Sequence, residues 1–118
     1  MERLIAILFL SRDLAHRDHL KTQSYAQHVA LGTFYDGVID LADSLAEMYQ
    51  GRHGIMKDIP LLDVEERGTP ADTIAEYLEM IEEMRYDAVA KTDTAIQNQI
   101  DEVVGLYLTT LYKLRNLK

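Results

Sequence analysis

The chain has 118 residues, 47% of them apolar and 27% charged, with a formal net charge of −8 and no cysteine. That length makes one domain with a single core and leaves little room for a deep cleft. The acidic balance argues against DNA or anionic-membrane binding, and the lack of cysteine excludes disulfides and thiolate metal sites; the expected compartment is the cytoplasm.

Residues 4–10, LIAILFL, are an apolar run too short to span a bilayer. They open a helix over 2–21, and their all-round apolarity predicts contact with another subunit as well as with the chain's own core. Ser24 is the N-cap of a second helix, from 24 to about 49. Gly51, Gly54, Pro60 and Pro70 bracket the one non-helical region, 51–69. Thr69 followed by Pro70 then starts a third helix. It turns Ile74, Tyr77, Leu78, Ile81, Met84 and Ala88 to a core and Glu76, Glu79, Glu82 and Glu83 to water. Thr92 or Thr94 caps a fourth helix, with Ile96, Ile100, Val103, Tyr107, Leu111 and Leu114 as its seam. Tyr77, Tyr107 and Tyr112 all fall at core spacing. No segment alternates with period two. Two helix hairpins joined by one long connection predict an all-α, ferritin-like four-helix bundle, a single domain over 1–118 with its long connection between helices 2 and 3.

The second helix carries the functional signal. At about 100° per residue, His28, Gly32, Asp36, Asp40, Asp43 and Glu47 share a stripe roughly 120° wide. Leu31, Phe34, Val38, Leu41, Leu45, Met48 and Tyr49 fill the opposite arc. No Lys or Arg stands between Lys21 and Arg52, so a cation or a partner is needed to neutralise the row. The conventional di-iron site inside a bundle uses Glu-x-x-His pairs. None of His16, His19, His28 or His53 follows a Glu by three, so that site is absent. His28 and Glu47 lie roughly 28 Å apart on one straight helix and cannot share an ion. Two antiparallel copies related by a twofold axis near Gly37 and Val38 bring them together. Gly37 then marks the close approach of two helices. Each site offers one nitrogen and two carboxylates, a donor set for Fe(II), Mn(II) or Zn(II), and His16 can add a second imidazole. His19 is expected to face the loop, standing in for His16 as ligand if the turn is shorter, and His53 to lie in a surface loop.

The segment 15–47 resembles the metal-binding part of the starvation-induced DNA-binding mini-ferritins. His16 and His28, twelve residues apart, match two family histidines, and Asp43, Ala46 and Glu47 match its Asp/Glu pair and Ala-Glu signature. A weaker likeness covers 73–78 and the last helix. It also resembles small phage-encoded proteins of unknown function. The resemblance implies iron bound and oxidised at a twofold interface, with His16 and His28 from one subunit and Asp43 and Glu47 from its mate, in a dimer through the second helix and a shell of twelve. It departs at Arg17, where the family has Trp, and at Gly32, where it has a further carboxylate that Asp36 replaces one turn on. The lysine-rich tail used for DNA is missing. The other reading is an oligomeric structural or interaction protein that has lost the metal. A third, a magnesium-dependent all-α pyrophosphohydrolase built on Glu79, Glu82, Glu83 and Asp87, has the wrong spacing of paired glutamates.

Overall fold

The computed structural model describes residues 1–64 and 67–118. Four helices follow one another: α1 (Glu2–Lys21), α2 (Tyr25–His53), α3 (Pro70–Ala88) and α4 (Thr94–Asn116). Their starts follow local chemistry. Ser24 accepts a bond from the Gln27 amide at the head of α2. Thr69 and Asp72 exchange bonds in a capping box at the head of α3, with Pro70 in the first turn. The cap of α4 is Asp93, whose carboxylate accepts from the Ile96 amide, and not Thr92 or Thr94. α2 also runs one turn past the expected 49, through Gly51 to His53. A helix already about seven turns long and packed on two neighbours tolerates one exposed glycine, which costs only about 1 kcal/mol. The expected non-helical region includes Glu65 and Glu66, which lie outside the described residues.

α1 packs on α2 and α3, and α4 packs on the same two, so α1/α4 and α2/α3 are the diagonals. The connection after α2 explains this order. The Lys57 amide donates to Glu2 at the start of α1, 2.9 Å. Ten residues on, Arg67 forks onto the Asp18 carboxylate near the end of α1, at 3.1 and 2.8 Å. The connection therefore travels the length of α1, and α3 starts at the same end of the bundle as α2. The directions are up, down, down, up, the connectivity of ferritin-like bundles.

Leu4, Ile5, Ala6, Ile7 and Leu8 are buried in the bundle core, against which the crossover side chains Met56, Ile59, Leu62 and Val64 also pack. The run lies in the chain's own core, as expected, and of its side chains Phe9 alone is exposed, at 38%. In the centre, Phe34 meets Tyr107 edge to face at 4.9 Å. Burial drives the Tyr107 phenol pKa far upward, with a small relief from the neighbouring Ser11 hydroxyl. The two hydroxyls lie alongside without hydrogen-bond geometry, and neither has another partner among the described residues. Tyr77 is buried as expected, but Tyr112 is 58% exposed. It lies a helical turn beyond Leu108, also exposed, on the outer side of α4.

Candidate functional site

The α1–α2 turn gathers three of the four histidines. α1 ends at Lys21, as expected, and His19 lies in its last turn. Its imidazole stacks on that of His28, with centroids 3.7 Å apart and planes tilted by 17°. The two rings also trade hydrogen bonds: His19 Nδ1 meets the His28 carbonyl at 2.5 Å, and His28 Nδ1 meets the His19 carbonyl at 2.8 Å. A carbonyl only accepts, so both Nδ1 atoms carry protons. In the neutral rings the lone pair is then on Nε2. The His28 bond also satisfies a carbonyl that the end of α1 leaves without an intrahelical donor. His16 lies flat on Tyr35 at 4.3 Å, and Arg12 sits over the same ring at 5.6 Å.

Gly32 belongs to this arrangement. A Cβ there would stand 3.1 and 3.3 Å from His19 ring atoms, so the missing side chain makes room for an imidazole. Its place in the stripe had suggested only an absent carboxylate. Gly37 likewise has an internal reason. Its Cβ would meet Leu106 of α4 at 3.3 Å, and Val38 is wholly buried. Both therefore have a reason within their own chain. His53 is on the last turn of α2, exposed, with its ring against Tyr49.

The expected arc of α2 does face the core: Leu31, Phe34, Val38 and Leu45 are fully buried, Leu41 and Tyr49 partly, and Met48 reaches the surface. Asp36, Asp40, Asp43 and Glu47 are all exposed, and none forms an ion pair among the described residues. Within one copy, His16 and His28 come to one end with His19 and Tyr35, while Asp43 and Glu47 lie farther down α2. Among the described residues no group of three or more His, Asp or Glu is gathered closely enough to hold a metal ion. Within one copy the donors stay apart: His19 and His28 with Nδ1 bonded to a carbonyl, and carboxylates without an ion pair among the described residues elsewhere on the helix. The sequence marks His19 only as a stand-in for His16 and gives Tyr35 no role. The spacing of His16, His19 and Lys21 was compatible with a helix reaching the turn, and that was the available signal. Glu79, Glu82, Glu83 and Asp87 are exposed on α3, without the enclosed site that a pyrophosphohydrolase requires.

Residues 19–114 match the model of a family of unknown function, DUF5856. The chain belongs to that family. His28, Asp36, Asp43 and Glu47 lie inside the matched region and His16 outside it. No curated protein and no solved structure matches the chain. Among the described residues no helix is long and apolar enough to cross a membrane.

Proposed function

We propose that this protein is a ferritin-like homo-oligomer of the cytoplasm that binds Fe(II), or Mn(II) or Zn(II), between two copies. His28, with His16 nearby, supplies imidazole from one copy; Asp43 and Glu47 supply carboxylate from the other, and Asp36 stands by as a further acid. The observation that supports the reading is the fixed Nδ1–H of His28. Histidine ligands commonly donate their second nitrogen to a carbonyl, which orients the ring and keeps Nε2 basic. The unpaired carboxylates of α2 supply the negative charge such an ion needs. A bound iron would bring redox chemistry with oxygen or peroxide. The chain's own part is to hold the ring tautomer and to present oxygen donors.

Anaerobic Fe(II) titration, repeated with Zn(II), tests this. The wild type binds about one ion per chain and His28→Ala and Glu47→Ala each lose at least tenfold in affinity, within the range for lost ligands or their supports. Equal, weak binding by all three sinks the proposal. The reading without metal has an observation in its favour too: Gly32, Gly37 and the stacked imidazoles all serve the fold of a single copy. It predicts an oligomer whose size is unchanged by chelator.

A further inference from the structure

We propose that the cleft between the end of α1, the α1–α2 turn and the head of α3 binds a soluble phosphate-bearing small molecule. Arg17, Lys21 and Arg67 hold its phosphate oxygens. The cleft has a volume of about 610 Å³, inside the roughly 300–1,000 Å³ of small-molecule sites. One side of it is a stripe at the end of α1, where Leu14, Arg17, Asp18 and Lys21 follow the i, i+3, i+4, i+7 spacing of a single helix face. Arg67 arrives from the crossover and grips that stripe through Asp18. On a chain of net charge −8, three cations and one carboxylate line this cleft among the described residues.

That carboxylate is already committed. Asp18, its side chain only 12% exposed, takes both bonds of the Arg67 fork. A guanidinium has five N–H groups, so three of Arg67's remain, and the fork holds them in place. Arg17 gives Nε to Asp13 at 2.8 Å, an exposed contact of small energy, and keeps its two terminal nitrogens. Lys21 has no ion pair among the described residues. Gln27 adds a neutral donor. The Ser24 amide donates to the Thr22 hydroxyl at 3.1 Å, and that hydroxyl donates to Gln27 Oε1 at 2.7 Å. The Gln27 amide is thereby oriented, with Nε2 lacking an acceptor among the described residues.

These donors select the ligand. Two guanidiniums and an ammonium suit a multiply charged phosphate, whose oxygens accept from several directions, better than a single carboxylate. Leu14, Val64 and Pro70 give the remainder of the molecule an apolar patch. One compact cluster in a cleft does not track a nucleic-acid backbone, which needs a stripe of basic groups. None of these residues belongs to the proposed metal site, so the two readings stand or fall separately.

Calorimetric titration with pyrophosphate, in chelator so that no metal bridges the anion, reads the site directly. The wild type should bind one pyrophosphate per chain, saturably and more tightly than inorganic phosphate. Lys21→Ala and Arg17→Ala change exposed positions and should unfold like the wild type without ligand. Each should weaken pyrophosphate binding by about tenfold, the loss of one charged hydrogen bond. Lys91→Ala, beyond the end of α3, should bind as the wild type does. A wild type without saturable binding, or Lys21→Ala and Lys91→Ala that bind alike, overturns the site. Citrate bound as tightly as pyrophosphate overturns its preference for phosphate. Duplex DNA, or vesicles of phosphatidic acid, bound more tightly than pyrophosphate overturns the soluble ligand.

Discussion

The two hairpins of the bundle meet the same difficulty and solve it with different groups. The last carbonyls of a helix have no donor within it. At the α3–α4 turn, the amide of buried Gln97 donates to the carbonyls of Arg85 and Val89, at 3.2 and 3.1 Å. Its oxygen takes a bond from Arg85 Nε at 2.9 Å, and the same guanidinium reaches Asp101 at 2.7 Å. At the α1–α2 turn the donor is His28, tied reciprocally to His19. Gln97 commits both ends of its amide to the fold. An imidazole commits one nitrogen and keeps the other. The first turn is a closed structural joint; the second holds its helices together with side chains that can still bind something.

Substitutions can break that comparison. Gln97→Ala should cost about 2–3 kcal/mol in urea unfolding, because it leaves the Val89 carbonyl and Arg85 Nε without their partner. His28→Ala should cost less, about 1–2 kcal/mol, since its surroundings are exposed and water replaces the donor. Its larger effect should be on metal affinity, a loss that Gln97→Ala does not share. The glycines sharpen the contrast. Gly105→Ala in α4, with nothing within 4 Å of the new Cβ, should stabilise by about 0.5–1 kcal/mol. Gly32→Ala should lose that gain against the His19 ring and shift its imidazole resonances. The smallest effect lies at the far end of α1. Amides, including that of Lys57, hold the Glu2 carboxyl below its ordinary pKa of 4.5. A depressed carboxyl stabilises fully above its unfolded value and loses that contribution as pH falls through the folded one. The Lys57 amide shift should therefore titrate below pH 4.5, and Glu2→Gln should abolish the step.

The bundle was legible because periodicity and caps are local. Pro70 behind Thr69 and Ser24 before α2 mark helix starts whatever packs around them, and Phe34, Val38 and Leu45 share one face at helical spacing. The up-down-down-up order needed only the long connection between two hairpins. What stayed hidden depends on neighbours distant in sequence. Gly37 reads as a helix–helix approach, but its counterpart, Leu106, is far along the chain. Gly32 reads as a lost acid until the ring of His19 is seen above it. The run at 4–8 announces its own burial, but nothing in those residues reveals that 56–64 will pack on the same core. The stripe from Asp36 to Glu47 is exposed as its spacing implied, and what neutralises it is a matter for the titration.

The crossover that lies along α1 has a consequence for synthesis. The first apolar residues of this chain are covered by side chains made some fifty positions later. At roughly 5–20 residues per second, Leu4 to Leu8 wait several seconds for Met56 to Val64 to be made. Until then α2 alone is there to cover that segment. Shortening the crossover would strip away part of its later cover.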